Sequence, residues 1–266
     1  MNQDERYALV TGASSGIGLA YSRELARRGY PLLMVSNEET KLFQAAQAIQ
    51  AEFQVTAIPL YLDLAQQDAA PTLFNYCAEN AIAVHIMINN AGMFFFKDIA
   101  STAPERLAVM INLHTLTPAL LCRLFTQQMI DEKRSGYLLN MSSIAAWMMM
   151  PGIAAYSATK SFVHCFSRAM RNELYDQGIS ITAVCPGAVA TGLYNLPQNY
   201  QQLGIRLGII MPTEQMARRA LNKMFQRKAE YIPGGLVNRL FIALVASLPQ
   251  PLIRWIWKKI KAKTGM

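Results

Sequence analysis

The sequence predicts a doubly wound α/β fold, with one parallel sheet covered by helices on both faces. Three observations predict it. Short, nearly continuous apolar runs recur along the chain, amphipathic stretches of helical spacing separate them, and a glycine-rich turn joins the first run to the first such stretch. Strands buried on both faces have no polar side to show, so they read as unbroken apolar runs rather than alternating ones.

Tyr7 to Thr11 reads as the first strand and Gly16 to Arg28 as the first helix. Pro31 to Ser36 and Val55 to Tyr61 are the next strands, separated by a helix from about Glu38 to Ala51. A helix from about Gln66 to Glu79 precedes the fourth strand, Val84 to Asn89. One long helix is expected from about Pro104 to Ile130. Strand Gly136 to Met141, helix Ala155 to Tyr175 and strand Ile179 to Val184 continue the alternation. A looser region, Pro186 to about Met211, leads to a helix over Thr213 to Gln226 and a short strand at Ala229 to Ile232. In sheets of this kind ligands sit at the carboxyl ends of the strands.

The 266 residues are 52% apolar, enough for a large core. No Pro-, Gly- or Ser-rich linker interrupts them, so one domain over residues 1–235 is expected, with a helical extension over 236–266. Cys77, Cys122, Cys165 and Cys185 form no C-x-x-C pair, and His85, His114 and His164 lack partners at ligand spacing. No metal site or disulfide framework is expected, and the thiols read as buried and reduced in a cytoplasmic protein. The histidines read as packing or surface residues. The polar start, Met1 to Arg6, runs straight into a strand, so no signal peptide is expected.

The net charge of +8 is unevenly placed. Met1 to Met211 carries 14 Lys/Arg against 15 Asp/Glu, whereas Pro212 to Met266 carries 11 against 2. A neutral body with a basic tail argues against a nucleic-acid binder and for a tail with its own partner.

After the first strand comes Thr11-Gly12-Ala13-Ser14-Ser15-Gly16-Ile17-Gly18. Glycines there let the backbone turn tightly and approach a pyrophosphate resting on the helix N-terminus, as in a Rossmann unit. A ligand-free turn is the plainer alternative, disfavoured by the strand-then-helix context. The second strand ends at Ser36-Asn37, where an NAD-binding unit usually carries an acidic residue. The reading finds no carboxylate there to repel a 2′-phosphate and no Arg or Lys to bind one. Ser15, Ser36 and Asn37 offer hydrogen bonds, which leans the expectation to NADP(H) over NAD(H).

Tyr156 and Lys160 lie four apart on one helix and share a face. A free phenol titrates near 10, and a neighbouring ammonium lowers it into a useful range for proton transfer. An ordinary surface Tyr/Lys pair is the alternative. Other motifs end other strands: Asp63 the third, Asn89-Asn90-Ala91-Gly92 the fourth, Ser142-Ser143 the fifth, and Pro186-Gly187 with Thr191-Gly192 the sixth.

In this order and spacing the motifs make the chain resemble the classical short-chain dehydrogenase/reductase family, from about Tyr7 to Gly192. The resemblance implies an NAD(P)-dependent oxidoreductase acting on a ketone or secondary alcohol. It implies Tyr156 as general acid/base, Lys160 as the group that lowers its pKa and binds the nicotinamide ribose, and Ser143 (with Ser142 the weaker choice) as hydrogen-bond partner of the substrate oxygen. Asn112 would hold a water in the proton relay. Gly12, Ser14, Ser15, Gly16, Ile17 and Gly18 would cradle the cofactor phosphates, and Asp63 and Leu64 would flank the adenine. Asn90, Ala91 and Gly92 would lie along the cofactor, and Pro186, Gly187, Val189 and Thr191 would fix its carboxamide and phosphates. A homodimer or homotetramer is implied through the two long helices.

Met93-Phe94-Phe95-Phe96 follows the Asn90 turn, and Trp147-Met148-Met149-Met150 follows Ser143. Met93, Phe94, Met148 and Met149 would line a pocket for a lipophilic substrate such as a keto-acyl lipid or a steroid. Packing of an interface or of the loops themselves is the alternative. A reductase of small carbonyls or sugars, and a non-catalytic dinucleotide-binding scaffold, are the competing functions. Beyond Tyr231, a helix from Leu252 would place Leu252, Ile253, Ile256, Trp257 and Ile260 on one side and Arg254, Lys258 and Lys261 on the other. That profile predicts a peripheral contact with the cytoplasmic membrane face, or packing on the protein's own body.

Overall fold

The computed structural model describes residues 6–191, 198–207 and 209–264. The signal-peptide reading rests mainly on residues outside that set, as does the Gly192 end of the Thr191-Gly192 motif. Strands form at β1 (Tyr7–Thr11), β2 (Leu32–Ser36), β3 (Ala57–Tyr61), β4 (Val84–Asn89), β5 (Gly136–Met141), β6 (Ile179–Val184) and β7 (Glu230–Tyr231). They make one parallel sheet in the order β3-β2-β1-β4-β5-β6-β7. Leu9 of β1 pairs with Leu33 of β2 on one side and with Met87 of β4 on the other. The chain therefore winds away from β1 in both directions, and the crevice above β1 and β4 is where such a sheet opens for a ligand.

Alternation along each strand sorts side chains to two cores. Ala8, Val10, Ile86 and Ile88 meet α1 (Gly16–Arg27), α2 (Glu39–Phe53) and, later in the chain, the helix Thr213–Phe225. Leu9, Leu33, Met87 and Leu138 meet α3 (Ala69–Glu79), the helix Thr117–Asp131 and the helix Ala154–Glu173. Both faces are covered, as the unbroken apolar runs require.

The long helix expected over Pro104 to Ile130 is divided. It runs as α4 (Pro104–Ile111), a π-turn over Asn112–Leu116, and α5 (Thr117–Asp131). Pro118 explains the break: it has no N–H for the carbonyl of His114 one turn back, and its ring crowds that carbonyl. After α6 (Ala154–Glu173), the looser region contains a short helix, α7 (Gln198–Arg206), before α8 (Thr213–Phe225). Its polar sequence and Gly204 carry little helical signal. Cys77, Cys122 and Cys185 are buried, but Cys165 is exposed, because it falls on the outward side of α6.

The tail folds as α9 (Gly235–Ala246) and α10 (Gln250–Thr264), meeting at 96°. Of the two expectations for α10, the contacts match packing on the protein's own body. Ile253 is buried, and Ile256, Trp257 and Ile260 are half-buried. The Trp257 ring stands edge-on to Phe96 with centroids 5.7 Å apart, and Lys261 pairs with Asp98. The apolar side of α10 thus packs on the loop after β4. The exposed apolar row lies on α9 instead, at Leu236, Val237, Leu240 and Leu244, each over 60% exposed.

Candidate active site

A cavity of about 740 Å³ opens at the carboxyl ends of β1, β2, β4, β5 and β6. Every cofactor residue expected from the sequence lines it except Gly18, which lies behind the turn. Gly12 takes φ 65 and Gly16 φ 55, conformations that favour glycine. A side chain at Gly18 would sit 2.0 Å from the Gly12 carbonyl oxygen, so only glycine lets α1 start this close to the turn. Ser15 is the N-cap of α1, leaving free helix N–H groups facing the cavity. A pyrophosphate fits this cradle.

The sequence reading missed the residue that holds the cradle. Thr11 Oγ1 accepts from the Asn90 and Ala91 N–H groups at 2.9 and 3.0 Å. The Asn90 amide in turn donates to the Thr11 carbonyl at 3.0 Å, so its side chain braces the turn. Asp63 is likewise engaged at its own turn, accepting from the Ala65 N–H at 3.1 Å and from the Gln66 amide at 3.0 Å.

At the end of β2 two charged residues join the predicted Ser36-Asn37 pair. Glu38 and Lys41 line the cavity beside Ser36 and Asn37. Lys41 Nζ donates to Glu38 Oε1 at 2.6 Å, and Ser14 Oγ donates to Glu38 Oε2 at 3.0 Å. These bonds, that from Lys41 foremost, hold the Glu38 carboxyl below its usual range. A carboxylate and an ammonium are therefore both present where the sequence reading found neither.

On the other side of the cavity, Ser142, Ser143, Tyr156 and Lys160 come together. Ser142 Oγ donates to the Lys160 carbonyl at 2.7 Å. Ser143 Oγ accepts from the Ala145 N–H at 3.1 Å and lies 3.5 Å from the Pro186 carbonyl, a weaker hold that leaves it the freer hydroxyl. The geometry favours Ser143 over Ser142 for a substrate oxygen. Lys160 Nζ donates to the Met141 carbonyl at 2.9 Å and lies 5.7 Å from the centre of the Tyr156 ring. Burial pushes the Lys160 ammonium down to about 8.

Asn112 opens the π-turn, half-buried. Its amide donates to the Ala65 carbonyl at 3.1 Å, and its own carbonyl accepts from the Thr117 N–H. It is the next residues, Leu113 and His114, that line the cavity. Of the packing or surface roles expected for the histidines, His114 takes the first: it is buried in the site with its ring edge-on to Tyr156, centroids 5.7 Å apart. Phe94 meets Tyr156 from another side at 5.0 Å and 90°. Met93, Phe94 and Met148 pack around Tyr156, with Met110 and Ala145. Met149 does not join them and is 66% exposed. The backbone is extended at Met148, so neighbouring side chains there point opposite ways.

Residues 6–201 match the model of the short chain dehydrogenase family. The chain belongs to that family. A very-long-chain 3-oxoacyl-CoA reductase of Danio rerio is 31% identical over 192 residues, covering 71% of this chain and 61% of that protein. The chain thus spans about three-fifths of the length of the curated relatives it matches. Among solved structures, a short-chain dehydrogenase from Sphingobium yanoikuyae in complex with NADPH superposes with a TM-score of 0.77 at 26% identity, covering 92% of this chain and 97% of that one. A bulky-bulky ketone specific alcohol dehydrogenase from Comamonas testosteroni gives a TM-score of 0.76 at 27% identity, covering 93% and 96%. These are oxidoreductases, and the seven-stranded parallel sheet is the fold they share with this chain.

Proposed function

We propose that this chain interconverts a ketone and a secondary alcohol on a lipophilic, keto-acyl type substrate, with NADP(H) as partner. The observation that carries the reading is the Tyr156 phenol, at a deep cavity floor beside the Lys160 ammonium and ringed by Phe94, Met93 and Met148. A nicotinamide held in this cavity would supply or accept the hydride. Tyr156 gives its proton to the carbonyl oxygen in reduction and takes it back in oxidation. Lys160 favours the phenolate and would hold the nicotinamide ribose, Ser143 donates a hydrogen bond to the same oxygen, and Asn112 holds the π-turn that shapes the floor. Names of relatives and neighbours support the substrate class: a 3-oxoacyl-CoA reductase and a bulky-ketone enzyme. The test is a screen of purified protein with long-chain 3-oxoacyl thioesters, steroid ketones and short ketones. Oxidation of NADPH by the long-chain compounds is expected. Turnover of short ketones alone would overturn the substrate class.

Cofactor preference follows from the cluster at β2. Lys41 offsets the Glu38 charge, and its ammonium is the cation that a 2′-phosphate would meet at this end of the cavity. NADPH is therefore expected to bind more tightly than NADH. Lys41→Ala should weaken NADPH roughly 3–10-fold, the size of a partly exposed charge contact. Ser36→Asp should shift the preference to NADH by repulsion. Calorimetric titration with both cofactors checks this, and a wild type that prefers NADH would sink it.

The membrane-facing element of the tail is α9 rather than α10. The exposed row of Leu236, Leu240 and Leu244 enters the headgroup boundary, and basic residues such as Arg254 and Lys258 meet anionic lipid at the cytoplasmic membrane face. Co-sedimentation with anionic liposomes is expected at low salt, with release at high salt. Leu236→Glu with Leu240→Glu should abolish it. Protein that stays in the supernatant at low salt would refute the attachment. The outer faces of α4 to α6 expose Ile111, Leu116 and Phe162, which supports a homodimer or homotetramer through these helices.

A further inference from the structure

We propose that His114 is a positioning residue for Tyr156, a neutral imidazole strut that ties the loop after β4 to α6. The proposal rests on the reading of Tyr156 as the acid/base group. His114 Nε2 lies 2.9 Å from the Met93 backbone nitrogen. A backbone N–H only donates, so Nε2 must be the accepting nitrogen, and the ring proton of a neutral imidazole is then on Nδ1. Nδ1 lies 3.0 Å from Thr159 Oγ1 and donates to it. The Thr159 hydroxyl donates onward to the Tyr156 carbonyl at 2.9 Å. One ring thus links the Met93 wall of the cavity to the helical turn that carries the phenol.

The surroundings fit this role. His114 is 1% exposed. A Cβ at Gly92 would lie 3.0 Å from Nε2, so a larger residue there would press on the ring. The edge of the imidazole meets Tyr156 on one side while Phe94 meets it on another, which leaves the phenol ring little room to swing. The titratable groups set against the imidazole are Lys160 and Tyr156, both on α6. Burial first, and the Lys160 ammonium second, hold His114 well below its ordinary range, so it stays neutral and keeps the accepting nitrogen. Protonation would place two N–H groups nose to nose at Met93.

Two measurements test it, one needing no substrate. The chain has three histidines, so a long-range ¹H–¹⁵N spectrum of its imidazoles is simple, and His114→Phe assigns the third signal by its loss. His114 is expected as the Nδ1–H tautomer, unchanged from about pH 5 to 8. An Nε2–H tautomer, or a titration near 6.5, would overturn the strut whatever the enzyme reduces. The second measurement is kinetic, on a ketone that the wild type reduces. His114→Phe keeps the ring volume and removes both hydrogen bonds, and should lower kcat by ~10²-fold, the scale of a small misplacement of a reacting group. KM and the NADPH dissociation constant should stay within about twofold. Thr159→Val cuts the same chain from the other end, so the double variant should be little worse than His114→Phe. His114→Gln, which can still accept from Met93, should recover part of the loss. Unchanged kcat in both His114→Phe and Thr159→Val would overturn the proposal, as would additive losses in the double variant.

Discussion

Tyr156→Phe is expected to lower turnover by ~10²–10⁴-fold, the usual worth of a positioned proton donor, while NADPH affinity stays within about twofold. The substitution deletes one oxygen and little else. The ring keeps its packing between Phe94 and His114, and Lys160 keeps its bond to the Met141 carbonyl. The glycine cradle, 138 residues upstream of Tyr156 at Gly18, is untouched. A loss confined to kcat is therefore the signature of missing proton transfer rather than of a damaged site. Steady-state rates on a reduced ketone, with fluorescence titration of NADPH, separate the two. Near wild-type turnover by the variant would exclude Tyr156 as the acid/base group.

Much of this site could be read from the sequence because strand ends and turns are local events. The apolar runs that made β1 to β6 legible also placed Gly12, Asn90, Ser143 and Pro186 at one end of the sheet, and the cavity forms there. What was illegible depends on contacts distant in sequence. His114 meets Met93, 21 residues before it, and Thr159, 45 residues after it, and nothing in the helical spacing around it signals either. Glu38 and Lys41 lie just beyond the Ser36-Asn37 ending, but the Ser14 hydroxyl that binds Glu38 at 3.0 Å comes from 24 residues earlier. The α10 pattern is the same whether its apolar side meets lipid or Phe96. Only the tertiary fold chooses between them. The π-turn is intermediate: its cause, Pro118, stands in the sequence one turn after His114, although one unbroken helix is what the apolar spacing predicts.

Lys160→Met is expected to abolish turnover and yet to stabilise the protein at pH 7. Lys160 is 6% exposed and buried among Met141, Ser142 and Cys185. Burial lowers its pKa from 10.5 to about 8. The folded value lies below the unfolded one, so between the two the unfolded chain binds more protons, and stability rises with pH across that window. Below about pH 8 the full penalty of the charged form stands, on the order of 3 kcal/mol for a shift of this size. Methionine has similar reach and no charge. It forfeits the hydrogen bond to the Met141 carbonyl, worth about 1 kcal/mol, so a net gain of roughly 1–2 kcal/mol remains, a rise of about 2–6 °C in Tm for a chain of this length. Urea unfolding of both proteins at pH 7 and at pH 10 checks the sign. The advantage of the variant should shrink as pH rises from about 8 towards 10.5, because the wild-type ammonium is by then neutral. A variant less stable at pH 7, with a gap that does not change with pH, would refute the account. Turnover should fall at least ~10²-fold, because the Lys160 ammonium beside the phenol favours its ionised form. An ammonium held where it costs stability is placed for chemistry, and a gain in stability joined to a loss of turnover at one residue is the measurement that would show it.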